Sequence, residues 1–154
     1  MGQKKGQAGA KIGRMGEDAA CTHLCSLGQT ILERNWRCGH LETDIISLGS
    51  DGIHFVEVKA RVAPSTTDPS ENVGYAKQRN MAKAAARYLA TKGSGLGDQE
   101  IWFDVVSVLF EGGKASVDYL KGAFLPLGLC FFIYFPIFAF IATSAACTKR
   151  VSPN

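Results

Sequence analysis

The feature that most restricts what this chain can fold into is a β-hairpin encoded between residues 41 and 61. The segments 43–48 and 53–60 are rich in Ile, Val and Phe, and they flank the sequence GSDG at residues 49–52. Such runs on either side of a short glycine-containing turn are typical of two antiparallel strands. With the two central residues in the loop, the flanking glycines face each other, and each further pair lies one residue farther from the turn.

On this register Asp44 lies directly opposite Glu57, and opposed residues point to the same face with Cβ atoms roughly 4.5 to 5.5 Å apart. Lys59 points to that face as well, because side chains alternate along a strand. Val56 and Val58 then point the other way, toward a core. The hairpin therefore predicts two carboxylates and one ammonium group at a single position.

Two neighbouring carboxylates repel unless a cation lies between them or one of them takes up a proton. A hard divalent ion with oxygen ligands, Mg²⁺ or Mn²⁺, suits this pair. Lys59 could then orient or deprotonate a water molecule, or stabilise charge developing on a phosphate oxygen. The alternative is an ordinary cross-strand cluster in which Lys59 neutralises a carboxylate at a sheet edge. The hairpin alone leaves both interpretations open.

Asp44 followed by the run Glu57-Val58-Lys59 resembles the PD-(D/E)xK nuclease pattern. Further blocks resemble, in order and spacing, the YraN-like family of uncharacterised bacterial proteins. They are GEDAA at 16–20, RNWR at 34–37, ETDII at 42–46, FVEVKAR at 55–61, Lys77, FDVV at 103–106 and AF at 123–124. The resemblance covers residues 10–124, and the chain departs from the family pattern at Leu41, Thr43 and Trp102.

The resemblance implies a nuclease core similar to that of archaeal Holliday-junction resolvases. It implies that Asp44 and Glu57 bind Mg²⁺ or Mn²⁺, that Lys59 acts on the water and that Glu17 completes the catalytic site. A simpler explanation of Glu17 is that a carboxylate in the first turns of a helix suits the helix dipole. The implied substrate is DNA, in structured or branched form, and the implied assembly is a homodimer. The alternative is a non-catalytic module that binds nucleic acid.

The remaining periodicities predict an α/β fold, with a restriction-endonuclease-like core of a mixed sheet flanked by helices. The predicted helices are 12–27 and 76–91, and the further strands are 30–37, 100–109 and 115–120. Residues 62–74 form a polar loop that is expected to close on substrate. Asp104, inside the nearly apolar strand 100–109, is costly to bury unpaired, so a structural partner is expected for it.

The helix at 76–91 presents a basic face, on which Arg79, Lys83 and Arg87 recur every four residues. By itself this pattern equally describes a solvated face of a packed helix. Because the helix follows the nuclease-like strand, it favours a surface that lies along a phosphate backbone. The predicted DNA-binding residues are Arg61, Lys77, Arg79, Lys83 and Arg87.

The 154 residues, 46% of them hydrophobic, are enough for one domain. We divide the chain into a flexible basic arm (1–11), a nuclease-like domain (12–123), a hydrophobic segment (124–147) and a polar tail (148–154). The hydrophobic segment carries no charge and exceeds the roughly 20 residues that span a bilayer. It is interpreted as a membrane helix, as a segment packed on the sheet or as non-native coding sequence.

The five cysteines form no CxxC pair, and no signal peptide is recognisable. Free thiols and a cytoplasmic location, with membrane association through residues 124–147 as a variant, are therefore expected. The sequence has no P-loop, no GxGxxG within a βαβ unit and no GxSxG. It thus offers no support for a nucleotide-driven motor or a dehydrogenase.

Overall fold

Two long helices and five strands make up the structure, a computed structural model that describes residues 3–64, 73–96 and 98–125. The helices are α1 (Gln3–Ser26) and α2 (Tyr75–Lys92), and a short 3₁₀ turn, Gly93–Gly95, follows α2. The strands are β1 (Thr30–Cys38), β2 (Leu41–Gly49), β3 (Gly52–Val62), β4 (Ile101–Glu111) and β5 (Lys114–Leu120). Each strand and helix predicted within these residues is present.

The strands form one sheet in the order β1-β2-β3-β4-β5. Neighbouring strands are antiparallel except β3 and β4, which run parallel. A parallel pair needs a crossover connection, and here the connection contains α2. The sheet is therefore mixed and lies between two helices, which confirms the predicted α/β class.

Helix α1 covers one face of the sheet, and α2 covers the other. Ala20 and Leu24 of α1 pack against Ile45, Val56, Val106 and Val108. Met81, Ala85 and Tyr88 of α2 pack against Ile46, Ile53, Phe55, Phe103 and Val105. Adjacent residues of β2 and β3 thus face opposite helices, as the period of two requires. This alternation decides which side chains can meet at the end of the hairpin.

Close packing of α1 on β3 depends on Gly16. A Cβ atom at this position would lie 2.3 Å from the Cβ atom of Ala60, well inside van der Waals contact. Only glycine therefore allows the helix to approach the strand this closely. The contact places the next residue, Glu17, near the end of β3 that carries the candidate site.

The start of α1 differs from the prediction. The helix begins at Gln3 rather than at Ile12, so residues 3–11, which were expected to form a flexible arm, are helical. Gln, Lys and Ala are strong helix formers, and extending an existing helix costs far less than nucleating one. These effects outweigh the glycines in this stretch. Lys11 and Arg14 are exposed on the helix.

Three predictions fall at least partly outside the described residues. They concern most of the polar loop (residues 65–72), the hydrophobic segment from residue 126 onward and the polar tail (148–154). Within the parts that are described, no helix combines the length and the apolar character needed to cross a bilayer.

Candidate functional site

The hairpin of β2 and β3 has the register that the sequence predicted. Gly49 pairs with Gly52, and the pairing continues to Ile45 and Val56. The next position on the same register sets Asp44 against Glu57. Here a side-chain hydrogen bond follows the last backbone pairing of the ladder. The Asp44 Oδ2 atom accepts a hydrogen bond of 2.8 Å from the Val58 N–H. The carboxylate is thereby held against β3.

The environment of Asp44 opposes its negative charge. Burial raises the pKa of this carboxyl, and the neighbouring charge of Glu57 raises it further. The hydrogen bond from Val58 and the charge of Lys77 offset part of this effect, and the resulting pKa is about 7. The two acidic groups thus lie so close that both can be ionised at neutral pH only if a cation offsets their repulsion. Otherwise one of them takes up a proton.

Glu57 faces α2, and its side chain is 16% exposed. Its Oε2 atom lies 2.8 Å from Lys77 Nζ. Oε2 has no partner besides Lys77 among the described residues, so it forms an ion pair and retains spare acceptor capacity. Burial acts to lower the pKa of Lys77, but the interactions with Glu57 outweigh it and raise that pKa. Lys77, predicted to contact DNA, therefore neutralises Glu57 in this structure.

Lys59 and Arg61 follow Glu57 along β3 at intervals of two residues. They therefore point to the same face of the sheet as Phe55, which packs toward α2. Both residues are half-buried, and Lys59 lies beside Ser107 of the parallel strand β4. The predicted arrangement of Asp44, Glu57 and Lys59 on one side of the hairpin thus follows from the observed register.

Glu17 approaches this region from α1, on the other side of the sheet. Its Oε2 atom accepts a hydrogen bond of 2.7 Å from Asn35 Nδ2 and lies 3.9 Å from Arg34 Nη2. Its charge is the smallest of the influences that raise the pKa of Asp44. In the described parts of the chain, however, no three His, Cys, Asp or Glu side chains are grouped closely enough to hold a metal ion. Glu17 is therefore near the carboxylate pair without joining it in one three-residue cluster.

The pair of Asp44 and Glu57 nevertheless fits a small divalent cation. The two carboxylates crowd each other in a half-buried position, and Glu57 Oε2 has spare acceptor capacity. Mg²⁺ is usually bound through one or two carboxylates and keeps several of its waters. The donor set present here therefore matches a Mg²⁺ or Mn²⁺ ion in number and chemical type.

The basic face of α2 is arranged as its spacing indicated. Met81, Ala85 and Tyr88 are buried against the sheet. The exposed basic residues on the outer side of the helix are Arg79, Lys83 and Arg87. We call these three residues the basic stripe. The amphipathic pattern is confirmed, and the structure leaves the stripe accessible to a large ligand.

A second group of polar residues lies on the α1 face, and sequence reasoning identified only Asp104 among them. His54 Nδ1 lies 2.7 Å from Asp104 Oδ2, and Asp104 also accepts hydrogen bonds from the Tyr119 hydroxyl and the Gly122 N–H. His54 Nε2 lies 3.1 Å from Asp51 Oδ1. Burial acts to lower the pKa of His54, but the two aspartates outweigh it and raise that pKa. Asp104 thus has the structural partners expected for it.

The sequence offered two signals for this group, Asp104 inside a nearly apolar strand and His54, a polar residue within an otherwise apolar run of β3. Its partners could not be found in the same way, because they come from the turn, from β4 and from β5. Lys121 reinforces the arrangement by pairing with Asp51 and by lying 3.9 Å from the ring centroid of Trp102. The group anchors the end of β5, and both ring nitrogens of His54 and both oxygens of Asp104 have partners within it.

The three cysteines within the described residues, Cys21, Cys25 and Cys38, are unpaired, as predicted. Cys130 and Cys147 lie outside the described residues.

Fold and site together define an α/β protein in which two carboxylates meet at the open end of a hairpin, with a lysine two residues farther along the strand. The chain belongs to the uncharacterised protein family UPF0102, whose model matches residues 16–108. This confirms the resemblance to the YraN-like family. The matched range contains Glu17, Asp44, Glu57 and Lys59, and the family description names no activity.

Individual relatives agree with this assignment. A UPF0102 protein from Myxococcus xanthus is 41% identical over 114 residues, which cover 74% of this chain and 89% of the relative. One from Clostridium perfringens is 39% identical over 115 residues, covering 73% of this chain and 93% of the relative. One from Oleidesulfovibrio alaskensis is 42% identical over 99 residues, which cover 64% of this chain but only 48% of that longer protein.

Proposed function

We propose that this protein is a metal-dependent nuclease that hydrolyses phosphodiester bonds in DNA. The observation that carries the proposal is the meeting of Asp44 and Glu57 at the end of the hairpin, where burial and mutual repulsion raise the pKa of Asp44 to about 7. A protein that needed these residues only for stability would gain by removing one of the two repelling charges. A divalent cation turns the same repulsion into binding energy.

In this proposal Asp44 and Glu57 hold Mg²⁺ or Mn²⁺. When bound, the ion supplies Lewis-acid stabilisation of the charge on the phosphate oxygens. Lys59, on the same side of β3, positions the attacking water, accepts its proton or stabilises the charge that develops on phosphate. Glu17 assists from α1, where its carboxylate increases the negative potential around Asp44.

The basic stripe and Arg61 bind the DNA backbone in the same proposal. Lys77 has a more specific place, since it already pairs with Glu57 at 2.8 Å. A divalent ion at Glu57 would compete with Lys77 for this carboxylate, and Lys77 would then be available to contact phosphate. The resemblance to junction resolvases extends the proposal to branched DNA as the substrate and to a homodimer as the active assembly.

The test is a cleavage assay on linear, flapped and four-way DNA with Mg²⁺ or Mn²⁺. We expect metal-dependent products from at least one substrate, and no products after chelation or with the Asp44→Asn variant. Equal activity of the parent and Asp44→Asn proteins would show that the nuclease responsible is a contaminant or that the site lies elsewhere.

The alternative function is a nucleic-acid-binding module without turnover. The ion pair between Lys77 and Glu57 favours it, because the protein can satisfy this carboxylate without a metal. Binding measurements separate the two functions. A non-catalytic module binds DNA equally well before and after chelation and cleaves none of the substrates, whereas the nuclease cleaves only while the ion is present.

A further inference from the structure

Strand β1 contains a backbone irregularity at Asn35. Its φ angle is +51°, the only positive φ of a non-glycine residue in the described part of the chain. L-residues rarely adopt this left-handed conformation, and asparagine tolerates it better than most. A strand interior has no general need for such a residue.

At this irregularity the alternation of side chains along β1 is broken after Arg34. Arg34 bonds to Asp18 on α1, and Asn35 bonds to Glu17 on the same helix. Trp36 instead packs edge-to-face against Tyr88 on α2. In a regular strand Arg34 and Asn35 would face opposite sides of the sheet. The left-handed turn at Asn35 therefore directs its amide toward α1.

Asn35 also has a defined position relative to the carboxylate pair. In the register of β1 and β2, Arg34 pairs with Ile45 and Trp36 pairs with Thr43, so Asn35 lies across from Asp44. Asp44 and Asn35, which binds Glu17, thus occupy opposed positions on the neighbouring strands β2 and β1.

We infer that Asn35 is a positioning residue, whose side-chain amide fixes the Glu17 carboxylate on the α1 side of the sheet, at the step that carries Asp44, so that its charge acts on the candidate metal site. This inference rests on the proposed function. Glutamate has several rotatable bonds, and ordering such a side chain costs entropy that a fixed hydrogen bond offsets. Arg34 is less suited to this task, because it is 3.9 Å from Glu17 and is engaged by Asp18 at 2.6 Å.

The backbone and the amide of Asn35 can be tested separately. Asn35→Gly keeps access to positive φ and removes only the hydrogen-bond donor. Mn²⁺ alone is the probe, and its affinity is measured for the full-length parent, Asn35→Gly, Glu17→Gln and the double variant. Loss of a group that orients a metal-site residue typically weakens affinity or activity about 10- to 100-fold. We expect Asn35→Gly to weaken Mn²⁺ binding within this range.

The double variant decides whether Asn35 acts through Glu17. If it does, Asn35→Gly has no further effect on Mn²⁺ affinity in a protein that already carries Glu17→Gln. In cleavage assays the single variants should lower kcat and leave KM for DNA unchanged. The matched control is Asp98→Asn, which removes an exposed carboxylate just before β4 and should bind Mn²⁺ as the parent does.

Each other outcome overturns the inference in a distinct way. Parent-like Mn²⁺ binding by Asn35→Gly removes Asn35 from the site but leaves the proposed function standing. An equal effect of Asn35→Gly in the parent and in the Glu17→Gln variant would show that Asn35 supports only the fold. A parent protein that neither binds Mn²⁺ nor cleaves DNA overturns the proposed function, and the inference with it. Should Asn35→Gly not fold, Asn35→Ala also removes the donor, adds no charge and bears the cost of the left-handed conformation at one residue only.

Discussion

Asp44 on β2 and Asp104 on β4, the two strands that flank β3, have opposite environments in this fold. Asp104 is fully buried, yet both of its oxygens are occupied, by His54 and the Tyr119 hydroxyl at Oδ2 and by the Gly122 N–H at Oδ1. Asp44 is less buried but receives one backbone hydrogen bond and faces Glu57, a group of its own charge. The better-buried carboxylate is thus the better-satisfied one.

The difference separates a structural role from a functional one. A buried polar group whose hydrogen-bonding capacity is filled by the protein itself has none left to bind a ligand. A carboxylate pair left in repulsion keeps binding capacity and gives up stability for it. Strained and incompletely satisfied groups of this kind are concentrated at functional sites.

The largest effect is expected at the Asp44 centre. Asp44→Asn keeps the shape of the side chain but removes the charge that holds the cation, so cleavage should fall by about three orders of magnitude or more. The free energy of unfolding should stay the same or increase, because the repulsion with Glu57 disappears. Cleavage kinetics and urea denaturation of the same preparation measure both. A strongly destabilised Asp44→Asn protein would contradict the contrast with Asp104.

For Asp104 we expect the reverse, a large loss of stability and no change in Mn²⁺ affinity. Asp104→Ala leaves a buried His54 and the Tyr119 hydroxyl without their partner, and breaking a buried pair of this kind costs about 3–5 kcal/mol. Urea denaturation should show this loss of stability. In any remaining folded fraction, Mn²⁺ affinity should match that of the parent. A loss of Mn²⁺ affinity without a loss of stability would mean that the roles of the two aspartates have been exchanged.

The pH dependence of the His54 group sharpens the comparison further. The pKa of His54 is raised in the folded state, so its contribution to stability is complete below its unfolded pKa of about 6.5 and is lost as pH rises through the folded value. The slope of this loss cannot exceed about 1.4 kcal/mol per pH unit for one group. NMR titration of the His54 imidazole should give a midpoint above about 6.5. A midpoint below that value would show that burial dominates over the aspartates.

The smallest effect on the folded protein is expected from the basic stripe. Replacing Arg79, Lys83 and Arg87 together with Gln should leave stability and Mn²⁺ affinity unchanged, because the three side chains are exposed on α2. DNA binding should weaken, and the slope of log affinity against log salt should flatten by about 0.9 for each phosphate that is no longer neutralised. Lys114→Gln, an exposed change at the start of β5, is the matched control. An unchanged slope would assign the DNA contacts to other residues.

The local features of this protein could be predicted from its sequence alone. The register of the hairpin follows from the period-two pattern and the short turn, and this register is sufficient to set Asp44 against Glu57. The buried and exposed faces of α2 follow from helical spacing in the same way. Both results depend only on backbone geometry over a few residues. That is why the fold class and the carboxylate pair could be predicted from the sequence.

Contacts between distant elements were decided by the tertiary structure. The ion pair of Lys77 with Glu57 depends on how α2 lies across β3, and no periodicity contains that information. Glu17 reaches the site only because Gly16 allows close packing of α1 and Asn35 reverses the direction of a side chain on β1. The buried group around Asp104, with Lys121 that reinforces it, joins residues up to 70 positions apart. The physical reason is that packing and charge pairing act through space, whereas the sequence specifies directly only what neighbouring residues do.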